Sequence, residues 1–171
     1  MSRILVKSLL IMLLFHFCGD QNSSNDTSIE ARNENSLVAF IDKGWNEKDL
    51  ASIDNYFSKV FIRNVNNVKV ASDRKELAAH MQVYFTGFPD LTIEMDNIVS
   101  EGNQIYLSWT LNGTNTGQFG DLSATGKRIK ISGMSLIDFN EEGKIIQDKV
   151  FYNELSLLQQ MGHTLNPPNL Q

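Results

Sequence analysis

The chain has 171 residues, a formal net charge of −5 and 42% hydrophobic residues. This length suits one domain with a short additional segment, and the apolar content is sufficient for a hydrophobic core. The negative charge and the lack of a Lys/Arg cluster disfavour nucleic-acid binding, and the single cysteine excludes both an internal disulfide and a site with several cysteine ligands.

The first 17 residues predict a secretory signal. Basic residues precede and flank an apolar run at residues 9–15, which is too short to span a membrane comfortably. Cys18 stands where cleavage would fall, so the layout resembles a bacterial lipoprotein signal, in which this cysteine is lipidated and becomes the mature N-terminus. We therefore expect an exported protein anchored to a membrane on its periplasmic or surface side. An ordinary cleaved signal and an uncleaved anchor are the alternatives.

Residues 18–35 are polar and rich in Asn, Ser and Asp. Such a segment cannot bury enough apolar surface to fold, so we predict a disordered tether between the anchor and the domain. The folded domain is predicted at residues 36–162, and residues 163–171 are predicted to form a flexible tail.

Helical patterns come first in the domain. Apolar residues at helical spacing run from Leu37 to Trp45, and a short helix is predicted at residues 49–56. After a strand candidate at residues 60–63, a third helix starts near Ser72. It ends at Phe88, because the residue before a proline avoids the helical region.

Strand-like runs follow at residues 91–100, 104–118, 127–139 and 144–152. The second run alternates clearly, and its apolar face carries Ile105, Leu107, Trp109 and Leu111. A short turn that ends in Gly143 joins the last two runs as a hairpin. Asn153 is a favourable N-cap for a final helix over residues 154–161.

This order of elements predicts an α+β fold. Early helices would pack across a curved antiparallel sheet to form a cone, and a short helix would close the chain. The interior of such a cone is a natural pocket for a small molecule.

No catalytic motif and no pair of histidines at metal-ligand spacing is present in the sequence. Asn115 faces inward with Trp109 if no bulge intervenes, and a polar amide there needs either a ligand or backbone as its partner. Asn153 has the same ambiguity, since it could contact a ligand or cap the final helix.

Aromatic and charged residues supply further candidates. Trp109, Phe151, Tyr84 and Phe88 are candidate pocket-wall residues that contact a ligand, with an ordinary core position as the alternative. Arg63 lies on an otherwise apolar strand, so it would need an acidic partner or an anionic ligand if it faces inward.

Several short segments occur in one order: Trp45-Asn46-Glu47-Lys48-Asp49, Phe88-Pro89-Asp90-Leu91, the stretch 113–120, Gly143-Lys144-Ile145, and Asn153 followed by Leu158-Gln159-Gln160-Met161-Gly162. This pattern resembles the SnoaL-like polyketide cyclases, or ester cyclases, of the nuclear-transport-factor-two-like superfamily. The resemblance covers roughly residues 35–162. It implies a cone-shaped fold with an internal pocket, frequent dimerisation, and neither a metal nor an organic cofactor.

The cyclases of that family close a ring by an intramolecular aldol reaction, in which a pocket carboxylate takes a proton from a carbon flanked by carbonyls. The resemblance places the family's Asp at Asn153 and its His at Asn115. An amide cannot take up a proton at neutral pH. Asp148 is close in sequence, but counting strand parity from Asn153 puts it on the opposite face of the sheet.

The leading hypothesis from the sequence is therefore an exported domain that binds a small, largely apolar molecule without the family's usual acid/base pair. One alternative is a cyclase or isomerase of this family with a relocated base. The other is a protein-interaction module. Expected partners are the apolar ligand, a membrane reached through the lipid anchor, and a second copy of the chain in a homodimer.

Overall fold

A curved, open sheet of six strands organises the computed structural model, which describes residues 23–166. The order across the sheet is β2-β1-β6-β5-β4-β3. The strands are β1 (Phe57–Val65), β2 (Val68–Asp73), β3 (Thr92–Glu101), β4 (Gln104–Thr114), β5 (Arg128–Phe139) and β6 (Ile145–Tyr152).

Helices cover the buried face of this sheet. They are α1 (Ser23–Phe40), α2 (Ile53–Tyr56), α3 (Arg74–Gly87) and α4 (Glu154–Gln160). A π-helical turn over Ile41–Asn46 continues α1, and a 3₁₀ turn over Leu50–Ser52 leads into α2. Helix α1 contacts β3 and β4, while α3 contacts β1 and β2, so the helices cross the sheet from both edges. In the part of the chain that the structure describes, no helix combines the length and apolar character needed to cross a membrane.

The predicted α+β fold with a curved sheet is confirmed. Ile105, Leu107, Trp109 and Leu111 of β4 are all buried, as their alternation predicted. One detail of the sheet differs from the expectation of purely antiparallel strands, because β1 and β6 pair in parallel. The β5–β6 hairpin turns the chain back so that β6 runs beside β1 in the same direction.

The segment before residue 36 is not the tether that its composition predicted. Helix α1 begins at Ser23, and Asn33 is fully buried at 0% exposure. Arg32 donates a 2.8 Å hydrogen bond to the Glu141 carbonyl, and the Glu30 carboxylate accepts one of 2.9 Å from the Gly102 backbone N–H. The tether prediction is therefore wrong for residues 23–35. These polar side chains hold α1 against the hairpin turns of the sheet, a kind of packing that composition does not reveal.

The expected signal at residues 1–17 and the lipidated Cys18 lie outside the described residues. So do residues 167–171 of the expected tail, while residues 163–166 form an exposed segment without regular structure.

Candidate functional site

A cavity lies between the buried face of the sheet and the helices that cover it. Its volume is about 60 Å³, several times the roughly 10–15 Å³ that one water molecule requires. Most of its wall is aliphatic or aromatic. The polar side chains in the wall, apart from the indoles of Trp45 and Trp109, belong to Arg63, Tyr84, Ser135, Asp148 and Tyr152.

The strand register arranges the sheet side of the cavity in layers. One layer contains Arg63 and Asp148, which are direct neighbours on the parallel strands β1 and β6. In the next layer, Val150 lies beside Ser135 and Val65. The layer beyond that begins with Tyr152, which lies beside a glycine on β5. Successive inward residues of β6 are therefore an acid, an aliphatic residue and a tyrosine.

Arg63 and Asp148 form a buried ion pair at one end of the cavity, with Arg63 Nη1 donating to Asp148 Oδ2. Arg63 is 7% exposed and Asp148 is 6% exposed. Asp148 Oδ1 and Arg63 Nε have no hydrogen-bond partner among the described residues. Burial raises the pKa of Asp148, and the attraction of the Arg63 guanidinium partly opposes this rise. The guanidinium also lies 5.6 Å from the centre of the Trp45 ring, in cation–π range.

The sequence-based prediction for Asp148 was wrong, and of the two partners expected for an inward Arg63 the structure shows the acidic one. Parity counted from Asn153 placed Asp148 on the outer face, but β6 ends at Tyr152, and residues 148 and 150 point inward. Phe151 accordingly lies on the outer face with 41% exposure and does not line the cavity. Arg63 faces inward and has the acidic partner that its position required. The expectation of a cavity without a carboxylate rested on the amides at positions 115 and 153 and on this wrong parity for Asp148.

Two tyrosines form the second polar feature of the cavity. The hydroxyls of Tyr84 on α3 and Tyr152 on β6 lie 3.0 Å apart and share a hydrogen bond. Burial is the main cause that raises the pKa of each hydroxyl, so both remain protonated at neutral pH. His80 packs against Tyr84, with 5.3 Å between ring centres, and burial lowers its pKa to about 4 with help from the Arg63 charge. The imidazole is therefore neutral near pH 7.

A tryptophan supports each tyrosine ring. Trp45 lies 6.0 Å from Tyr84 at a steep angle, and Trp109 lies 6.2 Å from Tyr152. Trp109 Nε1 donates a 3.1 Å hydrogen bond to Ser135 Oγ, which fixes the indole. A Cβ atom at Gly133 would lie 2.3 Å from the Trp109 ring, so the glycine makes room for the indole on this wall. Trp109 and Tyr84 thus line the cavity, and their contact with a ligand stays a prediction.

Asn115 is fully buried but does not line the cavity. Its amide nitrogen donates to the carbonyls of Gly87 and Gly117, and its oxygen accepts from the backbone N–H of Thr125 at 2.8 Å. Of the two alternatives for Asn115, a ligand contact or a bond to backbone, the structure shows the bond to backbone. Strand β4 ends at Thr114, and Asn115 organises the loop that follows.

Asn153 is the N-cap of α4, and its side chain accepts a 2.9 Å hydrogen bond from the Ser156 N–H. The capping alternative is therefore confirmed, and Asn153 is exposed outside the cavity. Phe88 is fully buried but packs against Phe119, with 5.2 Å between ring centres, rather than along the cavity.

Sequence reasoning missed Asp148, Ser135 and Tyr152 as cavity residues. The signal was available in β6, where apolar or aromatic residues at 150 and 152 share the parity of Asp148. Arg63 gave a second signal, since a buried guanidinium requires a buried acid. Among residues 23–166, no group of three or more His, Cys, Asp or Glu side chains is placed to hold a metal ion.

The cavity therefore combines an apolar wall, one buried carboxylate with an unpaired oxygen, and protonated hydroxyls. Such an arrangement can hold a mostly apolar molecule and present it with a proton acceptor and hydrogen-bond donors.

A curved sheet whose buried face is covered by helices, with a cavity between them, defines a cone-shaped α+β domain. The SnoaL-like polyketide cyclase family matches residues 35–161, and the chain belongs to this family. A comparison with curated proteins gave no match.

Solved structures show the same fold. A protein from Jannaschia sp. CCS1, described as a SnoaL-like polyketide cyclase, is 21% identical and has a TM-score of 0.73 over 80% of this chain and 96% of its own. AclR from Streptomyces galilaeus, described as a hydroxylase, is 23% identical with a TM-score of 0.70, over 82% of this chain and 87% of its own. A SnoaL-like polyketide cyclase from Agrobacterium tumefaciens C58 is 18% identical with a TM-score of 0.62, over 76% of this chain and 98% of its own.

Proposed function

We propose that this domain is an enzyme that binds a small, largely apolar carbonyl compound in the cavity. Asp148 acts as the general base that removes a proton from the carbon next to the carbonyl. The proton moves to the carboxylate, and the electrons of the C–H bond form an enolate. The enolate then attacks a second carbonyl of the same molecule to close a ring, and the alkoxide that forms takes the proton back from the Asp148 carboxyl. Alternatively, the same carboxyl returns the proton to another carbon of the enolate to give an isomer.

The unpaired Oδ1 oxygen of Asp148 is the observation that carries this proposal. Buried polar atoms are almost always hydrogen-bonded, and a charged oxygen without a partner is costly, so its presence beside a cavity calls for a functional reason. The raised pKa of Asp148 makes the carboxylate a stronger base than an exposed one. The apolar wall keeps bulk water away from the reacting atoms.

The test measures deuterium uptake at the activated carbon of an aryl β-keto ester in D₂O by NMR. Asp148→Asn keeps the shape of the side chain and an oxygen that can accept from Arg63, but it removes the base. Positioned general bases typically contribute about 10²–10⁴-fold, so the enzyme-catalysed exchange should fall by at least 100-fold in this variant.

Asp138→Asn is the matched control. Asp138 lies on β5 outside the cavity, where its Oδ1 accepts a 2.7 Å hydrogen bond from Gln104. This variant removes the same charge and should retain wild-type exchange. Equal exchange in wild type and the Asp148 variant would refute the assignment of the base, as would a wild type that accelerates no exchange over buffer.

A domain that only binds its ligand is the second candidate. The engagement of Asp148 Oδ2 with Arg63 favours it, because an ion pair between β1 and β6 can serve the fold alone. In that case the β-keto ester would bind wild type and the Asp148→Asn variant with similar affinity, and neither protein would catalyse exchange.

We also propose that the domain forms a homodimer through the outer face of its sheet. Four exposed apolar side chains lie on this face across β3 to β6: Val99, Tyr106, Met134 and Phe151. Val99 pairs with Tyr106 and Met134 pairs with Phe151, and the two pairs are offset by two residues along β4 and β5; we call these four side chains the outer patch. Wild type should sediment as a dimer at micromolar concentration and the Met134→Glu variant as a monomer. A monomeric wild type would refute this assembly.

A further inference from the structure

We infer that the Tyr84–Tyr152 hydroxyl pair is a second recognition site in the cavity, which donates a hydrogen bond to an oxygen at the end of the substrate far from Asp148. The substrate class is then an elongated apolar molecule with an activated carbonyl at one end and a hydroxyl or carbonyl oxygen at the other. This inference rests on the proposed function, because it takes Asp148 as the reacting end.

The spacing along β6 sets the two ends apart. Asp148 and Tyr152 both point into the cavity, and four strand residues span about 13 Å at about 3.3 Å per residue. The wall between them is apolar apart from Ser135, since Val150 and Val65 fill this layer. The Ser135 hydroxyl is already engaged by the Trp109 indole. A ligand that lies along β6 therefore meets polar groups only near its ends.

The hydrogen-bond count of the pair leaves a donor for the ligand. One hydroxyl donates to the other across 3.0 Å, so the accepting tyrosine keeps its own O–H free to donate. Neither hydroxyl has another side-chain partner among the described residues. Since burial raises both pKa values, both hydroxyls stay protonated over the whole neutral range, and the pair keeps one O–H that can donate a hydrogen bond to a ligand.

The position of the pair suits an anchoring role. Tyr84 and Tyr152 are partly exposed, whereas Arg63 and Asp148 are buried, so the tyrosines lie on the side where the cavity comes closer to solvent. Each ring is supported by a tryptophan, which holds the hydroxyl in place before the ligand arrives. The tyrosines are thus positioning residues for the substrate and not part of the proton transfer.

The experiment uses matched pairs of aryl β-keto esters that carry hydrogen or hydroxyl at the far end of a phenyl or naphthyl group. For each pair, the ratio of kcat/KM for exchange is measured in wild type, Tyr152→Phe, Tyr84→Phe and the double phenylalanine variant. Tyr56→Phe is the matched control, because Tyr56 lies at the end of α2 and does not line the cavity.

Wild type should prefer the hydroxylated member of at least one pair by about two- to tenfold, the range expected for one net hydrogen bond. The preference should appear in KM rather than kcat. The preference should fall to about one in the double variant and persist in Tyr56→Phe. A wild type without preference, or a double variant that keeps it, overturns the inference while leaving the role of Asp148 intact.

Failure of the proposed function gives a different result. If wild type catalyses no exchange, dissociation constants for the same probe pairs, measured by quenching of tryptophan fluorescence, still report the preference. A preference in binding that disappears in the double variant would support the tyrosine site as part of a binding protein. Equal dissociation constants would overturn it.

Discussion

The ion pair between Arg63 and Asp148 makes a quantitative prediction about stability. Asp148→Ala leaves the Arg63 guanidinium buried at 7% exposure without a compensating charge. Removal of one partner from a buried pair typically costs about 3–5 kcal/mol. Because total stabilities lie near 5–15 kcal/mol, this variant should unfold at a clearly lower urea concentration or fail to fold at 37 °C.

A double variant, Arg63→Met with Asp148→Leu, separates the cost of an unpaired charge from the value of the pair. Apolar replacement of both partners is often neutral or stabilising, so the double variant should recover most of the lost stability. Urea denaturation, monitored by circular dichroism, measures the free energy of unfolding of Asp148→Ala and of the double variant. Lys43→Ala, which breaks an exposed pair with Glu47, should leave the midpoint almost unchanged. If Asp148→Ala lowers the urea midpoint as little as Lys43→Ala does, the Arg63–Asp148 pair is not buried in solution.

Further predictions concern the cavity wall, the pH profile, the loop and the N-terminus. Gly133→Ala places a Cβ against the Trp109 ring and should destabilise the fold by about 1–3 kcal/mol, measured by thermal unfolding; an unchanged melting temperature would contradict the close contact. The rate of deuterium exchange should decline as pH falls through the pKa of Asp148, which lies above its ordinary value. The residual exchange rate of Asp148→Asn should not show this decline. Equal pH profiles in the two proteins would count against Asp148 as the base. Asn115→Ala should cost about 2–3 kcal/mol in urea denaturation because it leaves buried backbone groups unpaired. We expect mass spectrometry of the protein produced from the full-length chain to find an acylated Cys18 at the N-terminus, and an unmodified cysteine or a cut elsewhere would exclude lipidation.

The sequence predicted the sheet well because apolar alternation is a direct consequence of burial on one face. The buried face of β4 follows the predicted parity from Ile105 to Leu111. The short turn at Gly143 and the capping amide of Asn153 are local signals, and both appear where the sequence placed them. Helix α1 was mispredicted because polar side chains such as Asn33 and Arg32 fix it to distant turns, and such contacts leave no periodic apolar pattern.

The candidate site was harder to predict because parity fails where a strand ends. Asn153 was taken as an inward strand residue in the count, although it is also the helix cap that ends β6. That one-residue difference placed Asp148 outside the cavity, since a shift of one residue exchanges the two faces of a strand. The pairing of Arg63 with Asp148 depends on the parallel contact of β1 with β6, which joins two strands far apart in the chain.

The most direct test of the central claim is the rate of deuterium uptake by one β-keto ester in the presence of Asp148→Asn and of Asp138→Asn. The two variants lose the same charge, one inside the cavity and one outside it. Uptake should stay at the buffer rate with Asp148→Asn and reach the wild-type rate with Asp138→Asn. Rapid uptake with Asp148→Asn would show that Asp148 is not the base.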